Sequence, residues 1–318
     1  MRYMLSRARP IVYILIISCV SIAAVLYKFR TDNIFACQAS GYTADRYLSY
    51  CDVKNYGDYE HGAFWFDLEP AAQTSAANAD ALFLGDSRTQ FAFSTAATER
   101  WFSSELAKYY LLGFIASENS VFARALLHKL KPRARVYVVA IGDFFEPTER
   151  VVAKTVLHDK GAADRYEGKR LLQFVHKTIC VRITIMCGND MEVFRSREAG
   201  TWYLPATTKF KGRERGVSYD EQADDQEIGS AAAIGRIVLS ELPVKTDCVI
   251  LTLIPTVDTK LRAARAIASR LGKSLIVPEH LDGLRTFDGT HLDQGSAERW
   301  SEAFFKTAGP EIKSCLRD

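Results

Sequence analysis

Ala81-Leu82-Phe83-Leu84-Gly85-Asp86-Ser87-Arg88-Thr89 is a short apolar run that stops at a glycine and passes into polar residues. Four consecutive apolar side chains leave no face for water, which is how a strand buried on both sides of a parallel sheet reads. The pattern returns at Tyr109–Phe114 (YYLLGF), ending near Gly113, and at 136–141 (VYVVAI), closed by Gly142. Residues 248–254 (CVILTLI, broken by Pro255) and 274–277 continue it. Helical patterns lie between these runs, at 94–108, 119–131, 162–177, 228–241, 257–271 and about 296–306. In the second of these Val121, Phe122, Ala125, Leu126 and Leu130 are the apolar positions, and Pro132 stops it. Such alternation predicts an α/β fold, a three-layer sandwich with a central, mostly parallel sheet and helices on both faces. Ligands in open sheets of this kind bind outside the C-terminal strand ends.

The N-terminus has a different character. Residues 11–27 (IVYILIISCVSIAAVLY) carry no charge. At about 1.5 Å per residue the run just crosses a hydrocarbon core about 30 Å thick. Arg2, Arg7 and Arg9 precede it, and Lys28 and Arg30 follow. The positive-inside rule then keeps the tail in the cytoplasm and puts the bulk of the chain outside the cytoplasmic (inner) membrane, in the periplasm, as a single-pass protein. A cleaved signal peptide is the rival reading, but the run is long for one and no A-x-A site follows it. The chain divides into a cytoplasmic tail (1–10), a transmembrane anchor (11–28) and a juxtamembrane linker with an irregular N-terminal segment (29–78). The α/β domain (79–310), with an insertion at about 150–228, and a C-terminal tail (311–318) complete it.

Six cysteines lie beyond the apolar run: Cys37, Cys51, Cys180, Cys187, Cys248 and Cys315. An even number in an exported domain suggests disulfides. Sequence leaves the connectivity open, and some of these residues can equally be buried thiols. Nearest-neighbour pairing would give Cys37–Cys51, Cys180–Cys187 and Cys248–Cys315. No cysteine–histidine cluster has zinc-ligand spacing. Net charge is +3 with no long basic run, which excludes a nucleic-acid groove.

Two short motifs carry candidate chemistry. Ser87 sits on a strand-to-helix turn, where backbone N–H groups favour negative charge. A plain helix-capping serine reads the same way. Far downstream, Phe287-Asp288-Gly289-Thr290-His291 places an aspartate three residues before a histidine. On one turn the carboxylate can hold one ring nitrogen and leave the other for a serine. A surface turn with a half-exposed histidine is the bland alternative.

Taken together, Gly-Asp-Ser after the first core strand and Asp-x-x-His before the last helix resemble blocks I and V of the SGNH/GDSL hydrolase family. The resemblance covers about residues 79–309, and the G-x-S-x-G elbow of α/β-hydrolases is absent. It implies a flavodoxin-like SGNH fold with Ser87 as nucleophile, His291 as general base and Asp288 as its orienting partner. Gly113 is then a loose match to the block II glycine, an oxyanion donor through its N–H. Block III departs from the pattern: Ile141-Gly142-Asp143-Phe144-Phe145 holds no asparagine. An ionised Asp143 repels an oxyanion. Arg88 and Asn119 are candidate substitutes, although Arg88 can equally pair with a carboxylate and Asn119 can cap a helix.

A missing block III asparagine and an N-terminal span also occur in membrane-anchored relatives that O-acetylate exported polysaccharides and wall polymers beside a multi-spanning acyltransferase. The resemblance therefore implies an extracytoplasmic O-acetyltransferase or acetyl-esterase on a glycan, using no metal or cofactor. A plain periplasmic esterase and a non-catalytic glycan-binding or assembly protein are the alternatives. Phe194-Arg195-Ser196-Arg197 and Thr201-Trp202-Tyr203 put arginines near aromatics, which suits acidic sugars or, more simply, a small core under a loop.

Overall fold

The computed structural model describes residues 2–31, 35–53, 56–116, 118–184, 187–188, 190–205, 212–220, 222–278 and 281–317. A long helix, α1 (Arg2–Thr31), comes first. Its stretch Pro10–Lys28 is apolar over 19 residues and none of it is buried, as fits a single-pass membrane anchor or a signal sequence. Next come β1 (Arg46–Cys51), β2 (Gly57–Asp58), α2 (Glu60–Trp65) and α3 (Pro70–Ala77). The α/β part opens with β3 (Ala81–Asp86), α4 (Ser87–Phe93), α5 (Ala96–Ser104), β4 (Tyr109–Phe114), α6 (Ser120–Leu130) and β5 (Val136–Ala140). Then follow α7 (Val151–His158), α8 (Ala162–Cys180), β6 (Glu192–Ser196), β7 (Trp202–Tyr203) and β8 (Arg215–Gly216). The chain closes with α9 (Asp225–Glu241), β9 (Val249–Thr252), α10 (Leu261–Arg270), β10 (Leu275–Ile276), β11 (Arg285–Thr286) and α11 (Gln294–Arg317).

The main sheet has five strands in the order β10-β9-β5-β3-β4, and every pairing in it is parallel. Its strands alternate between two cores. Leu82, Leu84, Tyr110, Leu112, Tyr137 and Val139 face one apolar cluster, shared with Phe122 of α6, Val238 of α9 and Ile267 of α10. Phe83, Leu111, Val138 and Ile250 face the other, built with Phe93 of α4, Phe102 of α5 and Trp300, Phe304 and Ile312 of α11. Each fully buried aromatic or aliphatic side chain contributes about 1.5–3 kcal/mol by leaving water. Because β4 lies on one side of β3 and β5 on the other, the sheet changes its direction of growth at β3. Crevices form at such points.

The structure departs from the sequence expectations in two places. Residues 29–78 are more than a linker: β1 pairs antiparallel with β6, from Arg46 opposite Ser196 to Cys51 opposite Glu192. With β2 and β7 these strands form a second, four-stranded sheet in the order β2-β1-β6-β7. The insertion thus completes the N-terminal segment, a pairing too distant in sequence to leave a local pattern. It also covers the edge of the main sheet, where Leu111 N–H donates to the Ala199 carbonyl at 2.9 Å. The presumed tail at 311–317 belongs to α11, which runs on past Pro310. Buried Ile312, Cys315 and Leu316 hold its last turns on the core despite the backbone donor that proline lacks.

Three disulfides join Cys37 to Cys51, Cys180 to Cys187 and Cys248 to Cys315. Only Cys19, in α1, is a free cysteine among the described residues. The third bond links α11 to the start of β9 across 67 positions. Closing a loop of that length removes roughly 4 kcal/mol of unfolded-state entropy. Replacing Cys248 and Cys315 by serine is predicted to lower the unfolding free energy in urea by about 2–4 kcal/mol. An unchanged urea midpoint would contradict this account of the C-terminal helix.

Candidate active site

Ser87 is the first residue of α4, directly after β3. Asp86 caps that helix: its carboxylate accepts the Arg88 N–H at 2.9 Å and Arg88 Nε at 2.8 Å. The turn sits tightly against β4. A Cβ on Gly113 would lie 2.6 Å from the Asp86 carbonyl oxygen, and one on Gly85 would lie 1.9 Å from Thr89 Oγ1. Gly85 and Gly113 are register partners: the bare Gly113 lets β4 approach the Asp86–Ser87 turn, and the bare Gly85 lets Thr89 of α4 pack on the strand end. Ser87 itself is largely buried.

The second half of the site follows β11. Asp288 Oδ1 accepts the N–H groups of Thr290 and His291, each at 2.9 Å. Its Oδ2 lies 2.7 Å from His291 Nδ1. The other ring nitrogen, Nε2, lies 2.8 Å from Ser87 Oγ. With Nδ1–H donating to Asp288, Nε2 is free to accept the serine proton. Gly289, at φ +96, lets the turn close so tightly. The imidazole is held between aromatic rings, Phe91 at 4.7 Å and Phe287 stacked at 5.6 Å between centroids. Burial tends to raise the Asp288 pKa. The hydrogen bonds from the His291 ring and from the two backbone N–H groups outweigh it and hold the carboxyl below its usual range. Asp288 is therefore ionised at neutral pH and orients the imidazole through Nδ1. Asp288, His291 and Ser87 form a continuous hydrogen-bonded array, an arrangement able to take the proton from a serine hydroxyl.

The side chains of the remaining candidate residues are engaged by other groups. The Arg88 guanidinium is spent on carboxylates: it pairs with Asp86 and, at 3.1 Å, with Asp143. Burial would lower its pKa, and Asp86 and then Asp143 raise it above its ordinary value, so the charge is permanent but engaged. Asp143, in the turn after β5, shares that guanidinium with Asp86. Asn119 caps α6. Its Oδ1 accepts the Val121 N–H at 3.0 Å and its Nδ2 donates to the Thr148 carbonyl at 2.7 Å, leaving the side chain fully committed. The Gly113 carbonyl accepts Gln90 Nε2 at 2.7 Å and Arg195 Nη1 at 3.1 Å. Beside Arg88 and Asp143 opens a cavity of about 630 Å³, bounded also by Gly142, Thr256, Asp258 and Lys260. It lies at the C-terminal ends of β3, β5 and β9, where the sheet topology places ligands.

The pairing of arginines with aromatics has a different meaning from a sugar platform. Arg195 and Phe194 are fully buried and Trp202 nearly so. Arg195 Nη1 pairs with Glu60 at 2.9 Å, and Trp202 Nε1 donates to the same carboxylate at 3.2 Å. Arg197 pairs with Glu69 at 2.8 Å. Tyr203 alone of these aromatics is exposed, with the Arg46 guanidinium 4.4 Å over its ring.

Sequence reading missed one buried polar group altogether. His61, fully buried, lies between Asp58 (Nδ1 to Oδ1, 2.7 Å) and Glu118 (Nε2 to Oε2, 3.1 Å). Burial pulls its pKa down, but Asp58 and Glu118 push it up further, to about 10. Only the cluster of titratable residues at 58–61 (DYEH) hinted at this. Asp58, Glu60 and His61 are close enough to hold a metal ion, as are His176, Cys180 and Cys187. In the first set every residue already has an ion-pair partner, and in the second the two sulfurs are bonded to each other.

A scan of protein-family models, a search of curated proteins and a search of solved structures each find no match.

The raised pKa of His61 fixes the sign of a pH effect. The ion pair contributes fully to stability below the unfolded pKa of about 6.5 and is lost as pH rises through about 10. The groups facing the ring are Asp58 of β2, itself bonded to the Tyr166 hydroxyl of α8, and Glu118. Between neutral pH and about pH 10 the thermal midpoint of the parent should fall further than that of His61→Gln. Equal falls would refute a charged buried His61.

Proposed function

We propose that this chain is an extracytoplasmic serine acyl-transfer enzyme of the SGNH type, held at the cytoplasmic membrane by α1. The observation that carries this reading is the unbroken Asp288–His291–Ser87 hydrogen-bond array, assembled from the two motifs that resemble blocks I and V. Flanking helices on both faces of a parallel sheet suit the three-layer sandwich of that family. Three disulfides suit an oxidising compartment outside the cytoplasm.

The chemistry follows from the geometry. Ser87 Oγ attacks the carbonyl carbon of an acyl ester while His291 Nε2 takes its proton. The tetrahedral intermediate expels the alcohol, which receives that proton from His291, and an acyl-Ser87 ester remains. His291 next deprotonates the acceptor, whose oxygen attacks the acyl carbon; the bond to Ser87 Oγ breaks and His291 returns the proton to that oxygen. Ser87 N–H, at the first position of α4, has no carbonyl of its own helix to bind and is available to the oxyanion. Arg88 is shared between Asp86 and Asp143, so the block III position supplies no donor and the oxyanion depends on backbone N–H groups such as that of Ser87.

The acceptor we assign is a hydroxyl of an exported polysaccharide or cell-envelope glycan, with acetyl as the transferred group and a multi-spanning acyltransferase as its source. The membrane-spanning helix keeps the domain where both meet, and the cavity beside Arg88 gives the acceptor room. The test uses the detergent-solubilised full chain with p-nitrophenyl acetate, with and without acceptor oligosaccharides. Wild type should release p-nitrophenolate and acetylate an oligosaccharide, seen as a mass increment. Ser87→Ala should lose about a thousandfold or more in turnover. Release without any acetylated sugar would make the protein an esterase, and Ser87→Ala with wild-type turnover would refute the serine mechanism.

A further inference from the structure

Five charged side chains are buried together outside the triad, and the acyl-transfer steps use none of them. Asp58 ends β2, Glu60 and His61 open α2, Glu118 follows β4, and Arg195 lies on β6. Buried ion pairs are a poor device for stability alone, since well-packed apolar replacements often do as well or better. Their common feature is where their hydrogen bonds end. Glu60 Oε1 accepts the Ile115 N–H at 2.9 Å, and Glu118 Oε1 accepts the Asn119 N–H at 2.9 Å. Arg195 donates to the carbonyls of Gly113, at 3.1 Å, and Leu111, at 2.5 Å. All four backbone groups belong to β4 or to the turn that leaves it.

That turn starts beside the nucleophile. Phe114 is the register partner of Asp86, so Ile115 leaves the sheet alongside Ser87. Ala116 sits at φ 63, in the left-handed region. A residue with a Cβ adopts it only where the surroundings hold it there. His61 joins the two carboxylate anchors: it neighbours Glu60 on α2 and pairs with Glu118, while Asp58 and the Tyr166 hydroxyl, 2.7 Å from Asp58 Oδ2, fix its other side.

We infer that Glu60, His61 and Glu118 are positioning residues: by buried ion pairs and hydrogen bonds they fix the backbone at Ile115, Ala116 and Asn119 beside Ser87. The inference rests on the serine acyl-transfer reading. A misplacement of about 1 Å near reacting atoms can cost about a hundredfold in rate. Loosening the anchors therefore lowers kcat and leaves the binding of a small ester nearly unchanged.

The experiment measures hydrolysis of p-nitrophenyl acetate by the full chain in detergent. Glu118→Ala and His61→Ala should each lower kcat about tenfold or more, with KM within about threefold of wild type. Glu118→Gln should restore kcat to within about threefold, because its amide oxygen still accepts the Asn119 N–H. Ile312→Ala on α11 lowers the thermal midpoint from a site remote from the turn, and its kcat should stay within about twofold of wild type. Folded Glu118→Ala and His61→Ala with near-wild-type kcat would overturn the inference, as would an equal loss in Ile312→Ala. If the alanine variants do not fold, Tyr166→Phe reads the same chain of contacts: kcat lowered about threefold supports the inference and unchanged kcat overturns it. An active wild type with indifferent variants removes only this inference, and a wild type without turnover removes the acyl-transfer reading with it.

Discussion

One hydrogen bond, between His291 Nε2 and Ser87 Oγ, spans 204 positions of the chain, and the main sheet and last helix together set its length. Ser87 is placed by β3, the central strand, gripped by β4 on one side and β5 on the other. His291 is placed by a tight turn whose carboxylate side chain binds its own backbone, and by rings that clamp the imidazole. The two halves meet because α11 packs against α4 through Trp300, Phe304 and Phe305 around Phe93. The disulfide at Cys315 then pins α11 to β9. Dispersion and hydrophobic burial thus deliver two polar groups to hydrogen-bond distance.

The N-terminal segment and the insertion do the complementary work at the other side of the nucleophile. Together they build a second sheet against the edge strand β4 and drive Arg195, Glu60 and His61 into the interior. Removing one member of such a buried pair costs about 3–5 kcal/mol, because the partner charge is stranded. These pairs surround the turn that leaves β4 next to Ser87. Meanwhile Arg88 pairs with both Asp86 and Asp143 beside Ser87, so the repulsive carboxylate that the sequence suggests is held by a cation but not fully offset.

The strands and the Asp288–His291 contact were legible because each is written in neighbouring residues. Buried parallel strands are unbroken apolar runs, and the Asp288–His291 geometry is a three-residue spacing. The second sheet was not legible, because β1 and β6 are about 145 positions apart in register and β2 and β7 are only two residues long. Arg195 read as a surface group, because sequence cannot show that Glu60, 135 positions earlier, pairs with it in the core. Asn119 and Arg88 carried the right chemistry for an oxyanion donor. Their partners, Thr148 and Asp86 with Asp143, had already taken it. The sequence reading ends the last helix at about 306, whereas tertiary burial of Ile312 and Leu316 carries α11 on past Pro310.

The central claim is that His291 makes Ser87 a nucleophile. The most direct measurement treats the full chain with a serine-directed fluorophosphonate and maps the adduct by peptide mass spectrometry. The account predicts one phosphonyl group per chain, on Ser87, and loss of labelling in His291→Ala. Absence of an adduct in wild type, or an adduct on a different residue, would contradict it.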